Sequence, residues 1–321
     1  MNKIYDIIRK AGRAPRYYYS KYSLKKERRL LKSGQWTLKE YSPKDIFFLQ
    51  VRDNLFCRPD VTVRYLAIEN YYGQNDFGFE LYAKLQEIRR YKEFSDKAVI
   101  QFRHLIDSYE KNGYNPESFI IADKRLRLRD GAHRLALALY FSLPVITTAV
   151  YDSETFGNFS YQWYRERGLT QDEIDTIHNK SEQLREKFNT PLQCIVWEES
   201  KTDEVIGALS RFGTIASCEK INISAEDANK IKDILPRFKN TGNVYPSSGN
   251  INLISLKLSQ PLYSSVKFLQ QPVLIQYQKA AAVLSRLYKK NRWQNIVTIP
   301  SCFQMSDLIG DVFSDKFHNH S

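Results

Sequence analysis

The sequence predicts an α/β (α+β) fold with an N-terminal α/β domain and a second, smaller α/β domain. Short apolar or β-branched runs alternate with amphipathic helical patterns, and this alternation restarts near Leu192 after a polar helical stretch. A length of 321 residues with 42% hydrophobic residues suits two domains. We therefore predict a basic aromatic arm, an N-terminal domain, a helical connector, a C-terminal domain and a tail, at residues 1–34, 35–165, 166–190, 191–313 and 314–321.

Positive charge is concentrated in the arm. The whole chain has a formal net charge of +12, and residues 1–32 carry eleven Lys or Arg against Asp6 and Glu27, a net of +9. Four tyrosines are interleaved with the basic residues between positions 17 and 22. Such a segment suits an anionic membrane surface, and it suits nucleic acid phosphates as well. A solvated helical extension is the third interpretation.

The N-terminal domain begins with an extended segment, in which Pro43 precedes an apolar run at 46–51. Apolar residues at three- and four-residue spacings between 63 and 88 predict two helices around the turn at 73–76. Residues 98–111 have the pattern of an amphipathic helix that ends at Asn112-Gly113.

A strand hairpin and a further helix follow. SFIIAD and KRLRLRD predict two strands joined by a tight turn, and Gly131 ends the second. The stretch AHRLALALYFSL predicts a helix closed by Pro144, and VITTAVY predicts a strand. These elements form a compact α/β unit.

The connector and the second domain also contain sequence signals for the start of helices and strands. Thr170 and Glu173 form a capping-box pattern at the start of a long polar helix. From Leu192 onward the sequence predicts alternating strands and helices up to the strand NIVTI at 295–299, followed by a tail.

Several classes of protein are disfavoured by what the sequence contains. The four cysteines are scattered without C-x-x-C spacing, which argues against a disulfide framework or a zinc site and is typical of a reducing cytoplasm. The first residues lack the apolar segment of a secretory signal, and no run approaches the ~18 consecutive apolar residues of a spanning helix. We expect a cytoplasmic protein, either soluble or peripheral at the inner face of the plasma membrane.

The stretch DGAHR at 130–134 is the strongest candidate site. Gly131 would let an anion approach the free N–H groups of the following helix, and His133 and Arg134 would add an imidazole and a forked guanidinium. Asp130 beside them would hold Mg²⁺ or accept a proton. In the alternative interpretation, Asp130 caps the helix and the basic pair faces solvent, although Arg134 in the first turn opposes the helix dipole.

Residues 102–151, with the DGAHR loop at their centre, resemble the ParB/sulfiredoxin superfamily. The shared pattern is a helix ending in glycine, a strand hairpin, a phosphate loop, an alanine-rich helix and a strand after proline. DGxHR resembles the loop of the free-serine kinases in this superfamily, whereas sulfiredoxin has a cysteine in the loop, where this chain has Ala132. Residues 63–90 also resemble uncharacterised bacterial proteins encoded among capsule and lipopolysaccharide genes.

The resemblance implies that Gly131, His133 and Arg134 bind nucleotide phosphates beside Asp130, with ATP and Mg²⁺ as cofactors. It places further functional groups just before the helix at 98–111. There we select Arg89 as a second phosphate contact and Glu93 or Glu87 as a catalytic base, with Asp130 and His133 as the other catalytic residues. Glu69, Asn70 and Asp76 would contact the acceptor or the metal, or else they are solvated side chains.

Two functions compete. The first is an ATP-dependent kinase that phosphorylates a hydroxyl of a sugar or glycan in bacterial surface polysaccharide (capsule or lipopolysaccharide) biosynthesis, held at an anionic membrane surface by residues 1–32. The second is a ParB-like nucleotide-dependent DNA-binding protein, which would require a helix-turn-helix region after the phosphate loop. Alternating strands and helices at 190–310 disfavour nucleic acid as a partner. A catalytically inactive binding relative is a further alternative.

Overall fold

The structure, a computed structural model, describes residues 36–50, 58–89, 95–152, 160–237, 248–264, 272–289 and 293–317. The predicted arm at 1–34 and the candidate base Glu93 lie outside the described residues. None of the helices in the described ranges is long and apolar enough to cross a bilayer.

The N-terminal half contains four strands and a set of helices within the described residues. In chain order these elements are β1 (Trp36–Tyr41), α1 (Pro43–Gln50), α2 (Pro59–Tyr71), α3 (Gly78–Arg89), α4 (Ser95–Asn112), β2 (Ile120–Asp123), β3 (Leu128–Asp130), α5 (Ala132–Tyr140), β4 (Ile146–Tyr151) and α6 (Tyr161–Arg165). The two helices predicted around the turn at 73–76 are confirmed as α2 and α3. The apolar run that follows Pro43 is helical in α1 up to Gln50 rather than extended.

The first sheet has the strand order β1-β4-β2-β3. The strands β2 and β4 are parallel, and β3 and α5 lie between them in the chain, while β1–β4 and β2–β3 are antiparallel pairs. Because α5 follows β3 directly, the end of this hairpin delivers residues 130 and 131 to the start of α5. The expected strand–turn–helix–strand unit is confirmed.

The second half is built around an antiparallel sheet. Its elements are α7 (Gln171–Phe188), β5 (Leu192–Val196), α8 (Thr202–Leu209), β6 (Gly213–Ile223), α9 (Ala225–Arg237), β7 (Gly249–Leu258), α10 (Ile275–Leu287), α11 (Trp293–Ile296), β8 (Val297–Thr298) and α12 (Phe303–Phe317). The strand order is β6-β7-β5-β8. The chain is therefore a mixed α/β protein with two small sheets.

The first and last helices of this half, α7 and α12, can be compared with the sequence predictions. The capping box that starts α7 is confirmed, because Thr170 Oγ1 accepts from the N–H of Glu173 and the Glu173 carboxylate accepts from the N–H of Thr170. The helix α12 was not predicted, and it continues to Phe317, past the boundary placed at 313.

The helix α1 joins the two halves. Phe48 packs on Phe303, with ring centroids 5.2 Å apart, and Phe47 packs on Phe188 at 5.6 Å. The buried carboxylate of Asp45 accepts the backbone N–H groups of Phe303 and Gln304 at 2.9 and 3.0 Å. A side chain from the N-terminal half thus satisfies N–H groups at the start of α12, which a helix cannot satisfy within itself.

Candidate functional site

The start of α5 requires glycine for two reasons. Gly131 is the N-cap residue, with φ +96° and ψ 20°, a left-handed conformation that disfavours residues with a side chain. A Cβ at this position would also lie 2.6 Å from Cγ2 of Ile120. Because the N-cap has no side chain, it gives the first N–H groups of α5 no side-chain hydrogen bond, and Gly131 rather than Asp130 occupies the cap position.

Two buried side chains fix the strand that leads to Gly131. The side chain of Gln50 donates to the carbonyl of Leu126 and accepts the N–H of Leu128, both at 2.8 Å. Arg58, at the start of α2, donates through Nη1 to the carbonyl of Leu128. The end of β3 is therefore held by hydrogen bonds to Gln50 of α1 and to Arg58 at the start of α2.

A pocket of about 250 Å³ opens beside the start of α5, and we name it the α5 pocket. Its lining combines basic residues with apolar and amide-bearing ones. The basic residues are four arginines and His133, and α4 contributes Gln101 with three apolar residues. Asp130, Gly131 and Ala132 complete the mouth, and Asp130 is the one acid among the lining residues. The four arginines are Arg58, Arg64, Arg89 and Arg129.

A buried aspartate organises three of these arginines. Asp60 is fully buried, and its carboxylate accepts two hydrogen bonds from Arg58, at 2.7 and 2.9 Å. Arg64 and Arg89 each approach the same carboxylate through Nη1, at 3.1 and 3.0 Å. One carboxylate therefore orients three guanidinium groups toward one region.

The ionisation of this cluster follows from burial and charge. Burial alone would raise the pKa of Asp60, but Arg58, Arg89 and Arg64 hold that pKa well below its ordinary value. Burial lowers the pKa of Arg64, and Asp60 opposes that shift. Since arginine stays protonated in proteins, the cluster at neutral pH is one carboxylate among three cations.

Two residues that line this pocket each have a buried nitrogen atom without a hydrogen-bond partner among the described residues. Arg64 and Gln86 are each 3% exposed, and Nε of Arg64 and Nε2 of Gln86 have no partner among the described residues. Buried donors without acceptors destabilise a fold. An anion with several acceptor oxygens in the α5 pocket would satisfy such donors.

His133 is held by aromatic neighbours. Its Nε2 lies 2.7 Å from the hydroxyl of Tyr82, and its ring packs edge-on against Phe102 at a centroid distance of 4.5 Å. His133 lines the pocket from the first turn of α5. The imidazole therefore has one fixed orientation at the pocket wall.

Arg134 has a different environment from the one expected of a pocket ligand. Its Nη1 donates to the carbonyl of Phe119, and its Nη2 lies 3.4 Å from Oδ2 of Asp130. It is absent from the pocket lining, which the helical geometry explains because consecutive residues point in different directions. Its visible role is to tie the first turn of α5 to the segment before β2 and to Asp130.

The other predicted site residues differ in whether they line the α5 pocket. Arg89 lines the α5 pocket. Glu87 is exposed and accepts from Ser95 at 3.4 Å. Glu69, near the C-terminal end of α2, pairs with Lys180, and the Asn70 side chain holds the turn before α3 through bonds to Asn75 and Phe79.

None of Glu69, Asn70 and Asp76 lines the α5 pocket. Asp76 is exposed in the turn after α2. On α2 itself, six residues separate the pocket residue Arg64 from Asn70, which corresponds to ~9 Å of helix. The structure therefore does not bring them together with Asp130 and His133.

Sequence reasoning missed Arg58, Asp60, Arg64, Tyr82 and Gln86. One signal was available in the sequence. Arg58, Pro59 and Asp60 precede a mostly apolar stretch, and this stretch contains a further arginine, Arg64, four residues after Asp60. Charged residues in a buried helix pair with one another. Among the described residues, no cluster of three or more His, Cys, Asp or Glu side chains could hold a metal ion.

Comparison of the chain with protein-family models, with curated proteins and with solved structures found no match. The resemblance to the ParB/sulfiredoxin superfamily therefore stays a prediction.

Proposed function

We propose that the chain is an ATP-dependent phosphotransferase that acts on a hydroxyl of a sugar or glycan in bacterial surface polysaccharide biosynthesis. The observation that carries the nucleotide half of this proposal is the α5 pocket. Four arginines, a fixed imidazole and uncapped helix N–H groups converge there on one cavity. Phosphate groups are the ligands that such donors favour. The acceptor is inferred from the resemblance of residues 63–90.

The residues of the pocket fit the phosphate part of a nucleotide. Nε of Arg64 and Nε2 of Gln86 are buried donors that have no partner in the described part of the chain. Arg89 lines the pocket while it pairs with Asp60. The pocket volume of about 250 Å³ is below the ~300–1,000 Å³ typical of whole ligands, so it would enclose phosphate groups rather than an entire nucleotide. Bound ATP with Mg²⁺ would supply the phosphoryl group, and Asp130, the one acid among the lining residues, would hold the metal ion.

The chain's own residues would act by position and charge. The guanidinium groups would neutralise phosphate charge in a site where water is partly excluded. His133, oriented by Tyr82, would donate to a phosphate oxygen. Arg134 would hold Asp130 and the first turn of α5 in fixed positions relative to each other.

Calorimetry with ATP and Mg²⁺ tests the nucleotide site. We expect binding by the full chain, and a loss of about tenfold or more in Arg89→Ala and His133→Ala, because each removes a charged or polar phosphate ligand. Arg286→Ala, an exposed arginine of α10, is the matched control and should bind like the parent chain. No binding by the parent chain, or equal binding in all variants, would contradict the proposal.

Release of ADP with candidate sugar or glycan acceptors tests the reaction. Binding of ATP without acceptor-dependent ADP release would favour an inactive binding relative. The DNA-binding alternative predicts a nucleotide-dependent complex with duplex DNA that weakens steeply with salt. We do not favour it, because the half of the chain after α7 is organised around an antiparallel sheet.

A further inference from the structure

A second pocket lies between the C-terminal half of α7 and the segment 259–263 that follows β7, and we name it the α7 pocket. Its volume is about 390 Å³, within the ~300–1,000 Å³ typical of small-molecule sites. It shares no lining residue with the α5 pocket. It is therefore a candidate for a separate ligand.

Asn189 gives this pocket a buried acceptor. The residue ends α7, lines the pocket and is 5% exposed. Its Nδ2 donates to the carbonyl of Leu258 at 2.8 Å, which fixes the amide, while its Oδ1 accepts no hydrogen bond from any part of the chain that the structure describes. A buried carbonyl oxygen without a donor destabilises the fold, so a ligand that donates here would gain affinity.

The charged side chains of the pocket are already balanced. Glu182 and Glu186 lie one turn apart on α7, and each has a cationic neighbour: Arg185 lies 3.3 Å from Glu182, and Lys257 pairs with Glu186. A carboxylate that holds one cation still has lone pairs for further donors. The lining thus favours a neutral ligand with several hydrogen-bonding groups over a second cation.

The pocket offers donors, acceptors and apolar surface together. Ser259 and Gln260 can each donate and accept, Arg185 donates, and Phe48 and Leu262 contribute apolar area. A hydroxyl group both donates and accepts, so it matches such a mixture. A sugar ring combines hydroxyl edges with C–H faces and fits both parts of the lining.

We propose that the α7 pocket binds a neutral sugar ring, with one hydroxyl donating to Oδ1 of Asn189 and others bonding to Glu182 and Arg185. This site is distinct from the nucleotide site and its existence does not depend on phosphoryl transfer. It would serve to hold a carbohydrate on the chain, whether or not that carbohydrate is the acceptor.

Saturation-transfer NMR on the full chain tests this proposal. The probes are glucose, galactose, mannose and N-acetylglucosamine, with putrescine as a cationic and citrate as an anionic comparison. We expect transfer to at least one of the four sugars and none to putrescine or citrate. The affinity for that sugar should fall about tenfold in Glu182→Ala, which removes a hydrogen bond to a charged group. Glu226→Ala, an exposed glutamate of α9, is the matched control.

A second variant keeps the test decisive if Glu182→Ala affects folding. Ser259 is exposed at the pocket edge, so Ser259→Trp would fill the entrance and should abolish the signal while the thermal transition stays near that of the parent chain. Transfer to none of the sugars, transfer to putrescine alone, or an affinity equal to that of the parent chain in both variants would overturn the proposal. Arg89→Ala should bind the sugar normally, so this site and the nucleotide site can fail separately.

Discussion

The hydroxyl of Tyr82 lies 2.7 Å from Nε2 of His133, although the two residues come from different helices, α3 and α5. Tyr82 is 1% exposed, so its ring position is fixed by packing. The contact holds the imidazole at the wall of the α5 pocket. His133 is therefore an oriented group rather than a side chain free to turn toward solvent.

Tyr82→Phe should weaken nucleotide binding while the ring packing stays intact. We expect a loss of about threefold to tenfold in the affinity for ATP, because one neutral hydrogen bond contributes ~1 kcal/mol. Calorimetry measures the change. Tyr140→Phe, which loses a hydrogen bond from Gln74 on the exposed surface, is the control, and an equal affinity in the two variants would argue against an orienting role for Tyr82.

Gly131→Ala should destabilise the fold more than Gly113→Ala does. Both glycines have positive φ, +96° and +69°, so each alanine should cost ~1–2 kcal/mol of unfolding free energy. An added Cβ at Gly113 meets nothing within 4 Å, whereas at Gly131 it overlaps Ile120. We expect ~1–3 kcal/mol of further loss at Gly131. Urea unfolding measures both, and equal losses would show that β2 moves freely to admit the methyl group.

Asp60→Asn should lower the unfolding free energy by ~3–5 kcal/mol, because it leaves buried arginines without their carboxylate. The pKa of Asp60 is lowered in the folded state, so its contribution is present above the ordinary aspartate pKa and is lost as the pH falls below it. Urea unfolding at neutral and acid pH should show the variant's deficit shrinking in acid. Asp203→Asn, an exposed aspartate, should differ little from the parent chain at either pH.

Asp45 should give the opposite pH dependence. Burial raises the pKa of Asp45 to about 6, so the folded state binds a proton that the unfolded state releases. Stability should therefore fall by ~1 kcal/mol as the pH rises from about 5 to 7. The difference between the parent chain and Asp45→Asn, measured by urea unfolding across this interval, isolates the contribution. A difference that does not change with pH would mean that Asp45 is ionised throughout.

Local patterns predicted much of the fold. The helices α2 and α3, the capping box at Thr170 and the strand at β4 follow from residue spacing, caps and β-branched runs, which act over a few residues. The turn at Gly131 was identifiable because glycine, a preceding strand and a following apolar helix are adjacent in the chain. The missed helix α12 donates its first N–H groups to the carboxylate of Asp45, more than 250 residues earlier, so no capping residue next to the helix marks its start in the sequence.

The sequence by itself determined where the chain turns at Gly131 from β3 into α5, because this turn depends on neighbouring residues. Only the tertiary structure decided which cations share the site. It placed Arg58, Arg64 and Arg89 around Asp60 beside the start of α5, and it directed Arg134 to Phe119 and Asp130 instead. The physical reason is that a buried ion cluster forms between helices distant in the chain, and packing decides which side chains meet there.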